Sequence, residues 1–333
     1  MTRRTPTIPK GKKSLELEAS EPRMTGCGSG PEDMSDRRKH LEFLRKTARE
    51  AIWSGDYERA LTLYEDGLAL ARSWKDREVE DLFTCNRATT LLEMDRQDFD
   101  LSRLKEIVLR SPRSPNAVLA GYAAAHAHEV RGEYGKASFY AQGALQKSRE
   151  LGLEEWTAAS LNLLANLELH ESRFEQARGL FQEALDRFES EGRAECAEAA
   201  VVADNLGYCH IALDAVPVGL PLVERSLRLL EGLGSRQAMD YPCLDLCFAS
   251  LKLSKIDAAE TWGTRALELG REFGRNDVVK NAHYLLAETY GEMGRESAAD
   301  EHYEALASYY PDFPALKNYL HQISLMGLIN LRA

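Results

Sequence analysis

From Arg38 onward apolar residues recur at spacings of three and four, and charged residues occupy the remaining positions of each segment. This period predicts amphipathic α-helices packed along one face. Runs of valine and isoleucine with a period of two are missing, so the pattern predicts no strands. Within the stretch "GDYERALTLYEDGLAL" (Gly55 to Leu70) a glycine is followed two residues later by an aromatic and three after that by Ala60.

Anchored on Ala60, counterparts follow at Ala137, Ala177, Gly219, Ala259 and Ala299, with a degenerate one near Asp100, giving steps of 40, 37, 40, 42, 40 and 40 residues. Twelve residues before the anchors stand Ala48, Ala88, Ala125, Ala165, Gly207, Cys247 and Ala287, every one small. Eight residues after them stand Leu68, Val108, Leu145, Leu185, Leu227, Leu267 and Ala307, every one apolar. Each unit therefore reads as two antiparallel helices, A and B, joined by a tight turn at a residue such as Gly55, Gly132 or Gly294. A small residue is needed where A crosses B, and the large apolar residues fill the space between successive pairs. One pair cannot bury its own apolar face, but a stack can.

These segments resemble the tetratricopeptide repeat (TPR) family: "NLGYCHIALDAVPVGLPLVERSL", "LLAETYGEMGRESAADEHYEAL" and "GDYERALTLYEDGL" carry its small-residue and aromatic signature, and the likeness covers roughly residues 39–310. The usual unit is about 34 residues; the longer unit here leaves room for roughly 1.5 more helical turns. Units of this length look like those of kinesin light chains and of bacterial sensor-regulators with peptide-binding repeat domains. The resemblance implies an all-α fold, a right-handed α-solenoid of antiparallel helix pairs. It also implies that the concave groove of this superhelix binds a protein or peptide. The second unit, "DRQDFDLSRLKEIV", departs from the pattern, lacking both the turn glycine and the alanine anchor.

The ends differ from the array. Residues 1–38 contain "TPTIPKGKK" and "GCGSGPEDMS", rich in Pro, Gly, Ser and charge, and read as a disordered N-terminal tail; Met1, Met24 and Met34 are alternative starts. Residues 39–311 form the array of about seven helical hairpins. After "YYPDFP" the stretch 312–333 reads as a C-terminal capping helix over the apolar end of the stack.

Charge narrows the partners. Net charge is −11, and without the first 38 residues it is −13. Such an acidic body argues against nucleic acid, since a phosphate backbone needs a basic face. No apolar run approaches the roughly 20 residues that span a membrane, and the basic N-terminus has no apolar stretch behind it to make a secretory signal. The six cysteines include no CxxC pair, so reduced thiols and a cytoplasmic protein are the expectation. Cys243 and Cys247 share a helical face but lack further ligands for a metal, and Cys247 belongs to the small-residue column. His126 and His128, two apart on a helix, point in different directions and cannot jointly hold an ion. No phosphate-binding loop or nucleophile signature appears. The expectation is no cofactor, no metal and no enzyme.

The informative surface is the one that the A helices present to the groove. Residues three or seven before each small-column residue, or one after it, point inward, and by that register the groove shows Arg45, Arg49, Cys85, Thr89, Tyr122, His126, Asn162, Asn166, Asp204, Tyr208, Leu244, Phe248, Tyr284 and Glu288. Asn162 and Asn166 stand one turn apart, and asparagine has low helix propensity. Their amides suit the backbone of an extended peptide; equally, they could bond a neighbouring helix. Chaperone-binding members of the family grip a terminal carboxylate with basic residues, and Arg45, Arg49 and Asn86 match loosely. Leu119 and Ala123 stand where further basic residues are required, so that reading is not adopted. The function read from the sequence is a non-enzymatic scaffold or adaptor. The alternative is a peptide-sensing regulator whose array changes curvature on binding.

Overall fold

The computed structural model describes residues 31–94, 96–310, 312–320, 325–327 and 329–332. A short N-terminal unit ends at His40, and the helical body begins at Leu41. Among the described residues every regular element is helical. The A helices are α1 (Pro31–Trp53), α3 (Arg77–Glu93), α5 (Pro115–Val130), α7 (Glu154–His170), α9 (Ala197–Ala212), α11 (Asp240–Lys252) and α13 (Asn276–Glu292). Their B partners are α2 (Tyr57–Trp74), α4 (Leu101–Arg110), α6 (Tyr134–Leu151), α8 (Phe174–Ser190), α10 (Val216–Leu233), α12 (Ile256–Glu272) and α14 (Glu296–Ala305). A last helix, α15, spans Phe313–Leu320. This is a right-handed α-solenoid, a TPR-like superhelix of antiparallel pairs.

The small column lies where the helices cross. Ala48, Ala88, Ala125, Ala165, Gly207, Cys247 and Ala287 are all buried. At the crossing of α9 on α10 a Cβ on Gly207 would stand 2.6 Å from Val223 Cγ2 and 2.9 Å from the Gly219 carbonyl oxygen. Leu68, Leu185, Leu227 and Leu267 are buried between successive pairs, while Val108 and Leu145 are partly so. Ala307 breaks the column: it is exposed in a 3-10 turn, Leu306–Ser308.

The A-to-B turns share one backbone device. Gly55, Gly132 and Gly294 have φ of +82°, +68° and +68°, and at the equivalent place Ser172, Asp214 and Ser254 adopt +57°, +61° and +53°. A residue in the left-handed region ends helix A and frees the chain to reverse. Helix starts are capped by side chains in the first three pairs, with Asp56, Asp76, Asp100 and Ser114 accepting from backbone amides of the first turn.

The second pair is built differently. Asp100 is not a buried anchor but the exposed N-cap of α4, accepting from Ser102 N at 2.9 Å. The buried residues of α4 that join Ala88 in the core are Leu104, one turn later, and Ile107. Helix α4 packs mainly on α5 and touches α3 only slightly. Two sets of ion pairs tie α3 to α4: buried Asp81 accepts from Arg103 at 2.8 Å and from Arg110, and Arg77 donates to Glu106 at 2.8 Å. Ion pairing thus replaces the small-residue crossing there.

The N-terminal boundary also differs from the sequence reading. Helix α1 begins at Pro31, ahead of the boundary at 39; residues 1–30 of the expected tail lie outside the described residues. Proline at a helix start gives up no hydrogen bond.

The body curls far enough for its first pair to meet later ones. Gln237, between α10 and α11, donates its side-chain amide to the carbonyls of Ile52 (3.1 Å) and Trp53 at the end of α1. The Phe273 ring lies against Gly55, and Trp53 packs on the core formed by the later pairs. Arg49 of α1 reaches Glu155 of α7 (2.9 Å) and Glu198 of α9 (2.8 Å).

Candidate functional site

Successive A helices touch laterally, α3 with α5, α5 with α7, α9 with α11 and α11 with α13, and so form the inner layer of the superhelix. The residues read as groove-facing divide into two halves. In the first half, Arg45 is partly buried, Thr89 donates to the Cys85 carbonyl within its own helix (3.0 Å), and Cys85 is buried in the core. Tyr122 stacks edge-on against Trp156, with ring centroids 5.6 Å apart, and burial pushes its phenol pKa up. His126 stands 3.8 Å from Glu129, its Nδ1 buried with no partner. His128 is turned into the core and pairs with Glu133, so the two histidines do point apart. The asparagines behave differently from each other: Asn166 Oδ1 accepts from Asn205 Nδ2 of the next A helix at 3.4 Å, whereas Asn162 Oδ1 is buried and unpartnered.

The second half holds the chain's own end. Beyond α15 the expected capping helix does not continue through 312–333. The described residues 325–327 and 329–332 are non-helical and lie against α13, α11, α9 and the C-terminal end of α7. The phenol oxygen of Tyr284 accepts from Leu325 N at 3.0 Å. Leu331, 1% exposed, is gripped by both its backbone groups: its N–H donates to Tyr208 Oη (2.8 Å) and its carbonyl accepts from Asn281 Nδ2 (2.8 Å). Asn330 accepts from Tyr208 Oη at 3.1 Å and donates to the Leu169 carbonyl and to Ser172 Oγ (3.1 Å).

Arg332 ends the described segment in a polar pocket. Its guanidinium makes a two-point bond to Asp245, at 3.1 and 2.6 Å, and lies 3.5 Å from Asp204. It also sits over two rings, 4.5 Å from the Tyr208 centroid and 4.1 Å from that of Tyr241. The Arg332 side chain is 8% exposed, Asp204 3% and Asp245 0%. Of the remaining groove residues, Phe248 and Leu244 are buried around this pocket's core, and Glu288 accepts from Tyr303 Oη at 2.7 Å.

The electrostatics of the pocket follow from burial. Asp204 is held well above the usual carboxylate range, by burial first and then by the neighbouring Asp245 charge. Burial raises Asp245 to about 6 even though Arg332 opposes the shift. Asp240, also raised by burial, has Arg275 at 3.8 Å. Arg332 itself stays charged: burial works against it, but the Asp245 and Asp204 carboxylates outweigh that. The cysteines offer no comparable chemistry. Burial pushes Cys243 and Cys247 up to about 12, and Cys247 packs against Gly263 at a helix crossing.

Three residues of the site fall outside the columns that the sequence singled out. Tyr241 and Asn281 stand six before the small column, and Asp245 stands two before it. The inner face is therefore wider than positions three or seven before and one after. A signal was present: Asp245 is a lone carboxylate inside "PCLDLCFASL", where every near neighbour is apolar or small.

No family model matches the chain, and no curated protein does. Solved structures do match in fold. A Rap protein complexed with Competence and Sporulation Factor is 14% identical, with 85% of this chain and 79% of that chain covered at a TM-score of 0.61. The apo form of the quorum sensor NprR from B. thuringiensis is 15% identical, covering 87% of this chain and 80% of its own, TM-score 0.57. The APC/C hetero-tetramer Cut9–Hcn1 is 14% identical, with 84% of this chain and 49% of that one covered, TM-score 0.61. At such identities the likeness is one of fold, and the fold is that of TPR-like repeat proteins.

Proposed function

We propose that this chain is a non-enzymatic scaffold or adaptor that binds a protein or peptide in the concave groove of a long-unit TPR array. One observation carries the reading: the inner face already holds a non-helical segment by its backbone, through Tyr208, Asn281 and Tyr284. Backbone capture of an extended chain, with pockets for alternate side chains, is how peptide-binding grooves work. The partner is a protein or peptide rather than nucleic acid, given the acidic body. The chain acts in the cytoplasm, and among the described residues no helix is long and apolar enough to cross a membrane. A second reading, a peptide-sensing regulator, is favoured by the fold's likeness to a Rap protein solved with Competence and Sporulation Factor and to the quorum sensor NprR.

Selection of a random peptide display library on the full chain tests the binding claim. The expected outcome is a family of peptides whose affinity falls about tenfold to a hundredfold in the Asn162→Ala, Asn166→Ala double variant, as the loss of two neutral hydrogen bonds implies. Binders indifferent to that variant, or to every groove substitution, would place recognition elsewhere on the molecule.

A further inference from the structure

The pocket around Arg332 is built for a guanidinium in particular. Asp204 and Asp245 are buried carboxylates, and buried carboxylates require a cation or a proton. Asp245 takes the guanidinium through two parallel bonds, a geometry that an ammonium cannot reproduce. Tyr208 and Tyr241 supply ring faces that suit a planar cation. The residue before it, Leu331, is read through its backbone N–H and carbonyl and buries an aliphatic side chain in the core. A structural cap would need only apolar cover. Here the recognition is of a backbone, an aliphatic side chain and an arginine in sequence, the features by which a groove reads a peptide.

We infer that residues 330–332 are an intramolecular stand-in for the ligand. On this view the Asp204–Asp245–Tyr208–Tyr241 pocket is the arginine-reading subsite for an external peptide that carries an arginine after an aliphatic residue. This rests on the groove-binding reading proposed above and narrows it to a ligand class. A tethered segment competes at an effective concentration in the millimolar range for a short flexible connection. It therefore lowers the apparent affinity for any external peptide by the fraction of molecules in which the subsite is vacant. The incoming peptide must bring its own arginine, since an exchange that left two buried carboxylates without a cation would be strongly opposed.

The test uses the full chain and a fluorescein-labelled peptide of sequence LMGLINLRA, residues 325–333, as the probe. Fluorescence anisotropy on wild type and on Arg332→Ala should show the variant binding the probe at least about tenfold more tightly, because its own segment no longer competes. A probe with methionine in place of arginine should bind neither chain, and Asp245→Asn in the Arg332→Ala background should abolish the gain. Arg332→Lys, which keeps a positive charge beside the buried carboxylates, should fold and fall between the other two. Equal affinity in wild type and both variants overturns the inference, as does binding that ignores Asp245→Asn. Loss of helical circular dichroism in both Arg332→Ala and Arg332→Lys also overturns it, by making the segment part of the core. If library peptides bind through Asn162 but none requires arginine, this inference fails while the groove reading stands; if no peptide binds any of these chains, both fail.

Discussion

Ser254 closes the turn between α11 and α12 with φ of +53°, a conformation in which glycine stands at Gly55, Gly132 and Gly294. An L-residue there carries a steric penalty of roughly 1–2 kcal/mol, partly offset because glycine costs more chain entropy on folding. Ser254 is exposed, so Ser254→Gly should raise stability by up to about 1 kcal/mol. An unchanged or lower denaturant midpoint would mean that the turn is held by something other than backbone geometry. Ser172, in the matching place, is a poorer choice because its hydroxyl is bonded to Asn330. At this scale the sequence was legible wherever sterics leave one answer. The small column from Ala48 to Ala287 is buried throughout because a larger side chain would force the helices apart. The residues of the site were less legible: Asp204 and Tyr208 were found by register. Tyr241 and Asn281, however, lie on a flank of the same helical face where polar and apolar residues alternate without a column.

Among the elements, the pair α3–α4 shows how a repeat survives the loss of its signature. Helix α4 has only ten residues, and its attachment to α3 runs through Asp81, Arg103 and Arg110, with Arg77 and Glu106 beside them. Breaking a fully buried ion pair costs about 3–5 kcal/mol. Here Arg103 and Arg110 are about a quarter exposed, and Glu106 holds each of them as well, at 2.7 and 2.8 Å. They would not be stranded, so Asp81→Ala should cost about 1–3 kcal/mol, read as a drop in the denaturant midpoint. A neutral outcome would show that apolar contacts of Leu104 and Ile107 suffice to hold α4. The capping element illustrates the opposite limit of sequence reasoning. "ALKNYLHQISLMGLINL" has helical periodicity, yet helix α15 ends at Leu320. Periodicity reports which side chains seek burial but not which partners bond the backbone. The carbonyl of Leu331 finds Asn281, and its N–H finds Tyr208, on helices far away in the sequence.

For the body as a whole, the acidic pocket gives stability an unusual pH dependence. The folded-state pKa of Asp245 is raised from an ordinary 3.8 to about 6, so the folded form holds its proton more tightly than the unfolded chain does. The contribution is fully present below about pH 4 and is lost as pH rises through about 6. Between pH 5 and 7 it should fall by about 1 kcal/mol, given about 1.4 kcal/mol for each unit of differential binding. Groups facing Asp245 include Asp204 on α9, Asp240 and Tyr241 on α11, Tyr208 and Arg332, and the two further aspartates push in the same direction. His283, lowered to about 4 chiefly by burial, works oppositely, losing stability as pH falls through that range. The informative measurement is therefore a difference: midpoints of wild type and Asp245→Asn between pH 5 and 7. The wild type should lose more stability on going to pH 7 than the variant does. Parallel curves would mean that Asp245 is ionised throughout.

The bonds from Gln237 to the end of α1 have a kinetic consequence. A solenoid whose repeats meet only their neighbours behaves as a linear chain of coupled units, and its terminal repeats fray first. In this body the first pair is also tied to the loop before the sixth, across 185 residues of sequence for Ile52. The topology is then closer to a clasped ring than to a string, and opening at one end must release contacts at both. Native-state hydrogen exchange should accordingly find the amides near the end of α1 opening in one cooperative step with those around Arg236–Ala238. Unclasping with Gln237→Ala should restore independent fraying of the first pair and leave protection in α5 to α8 unchanged. In the wild-type chain, local loosening at the entry to the array would be felt as global unfolding.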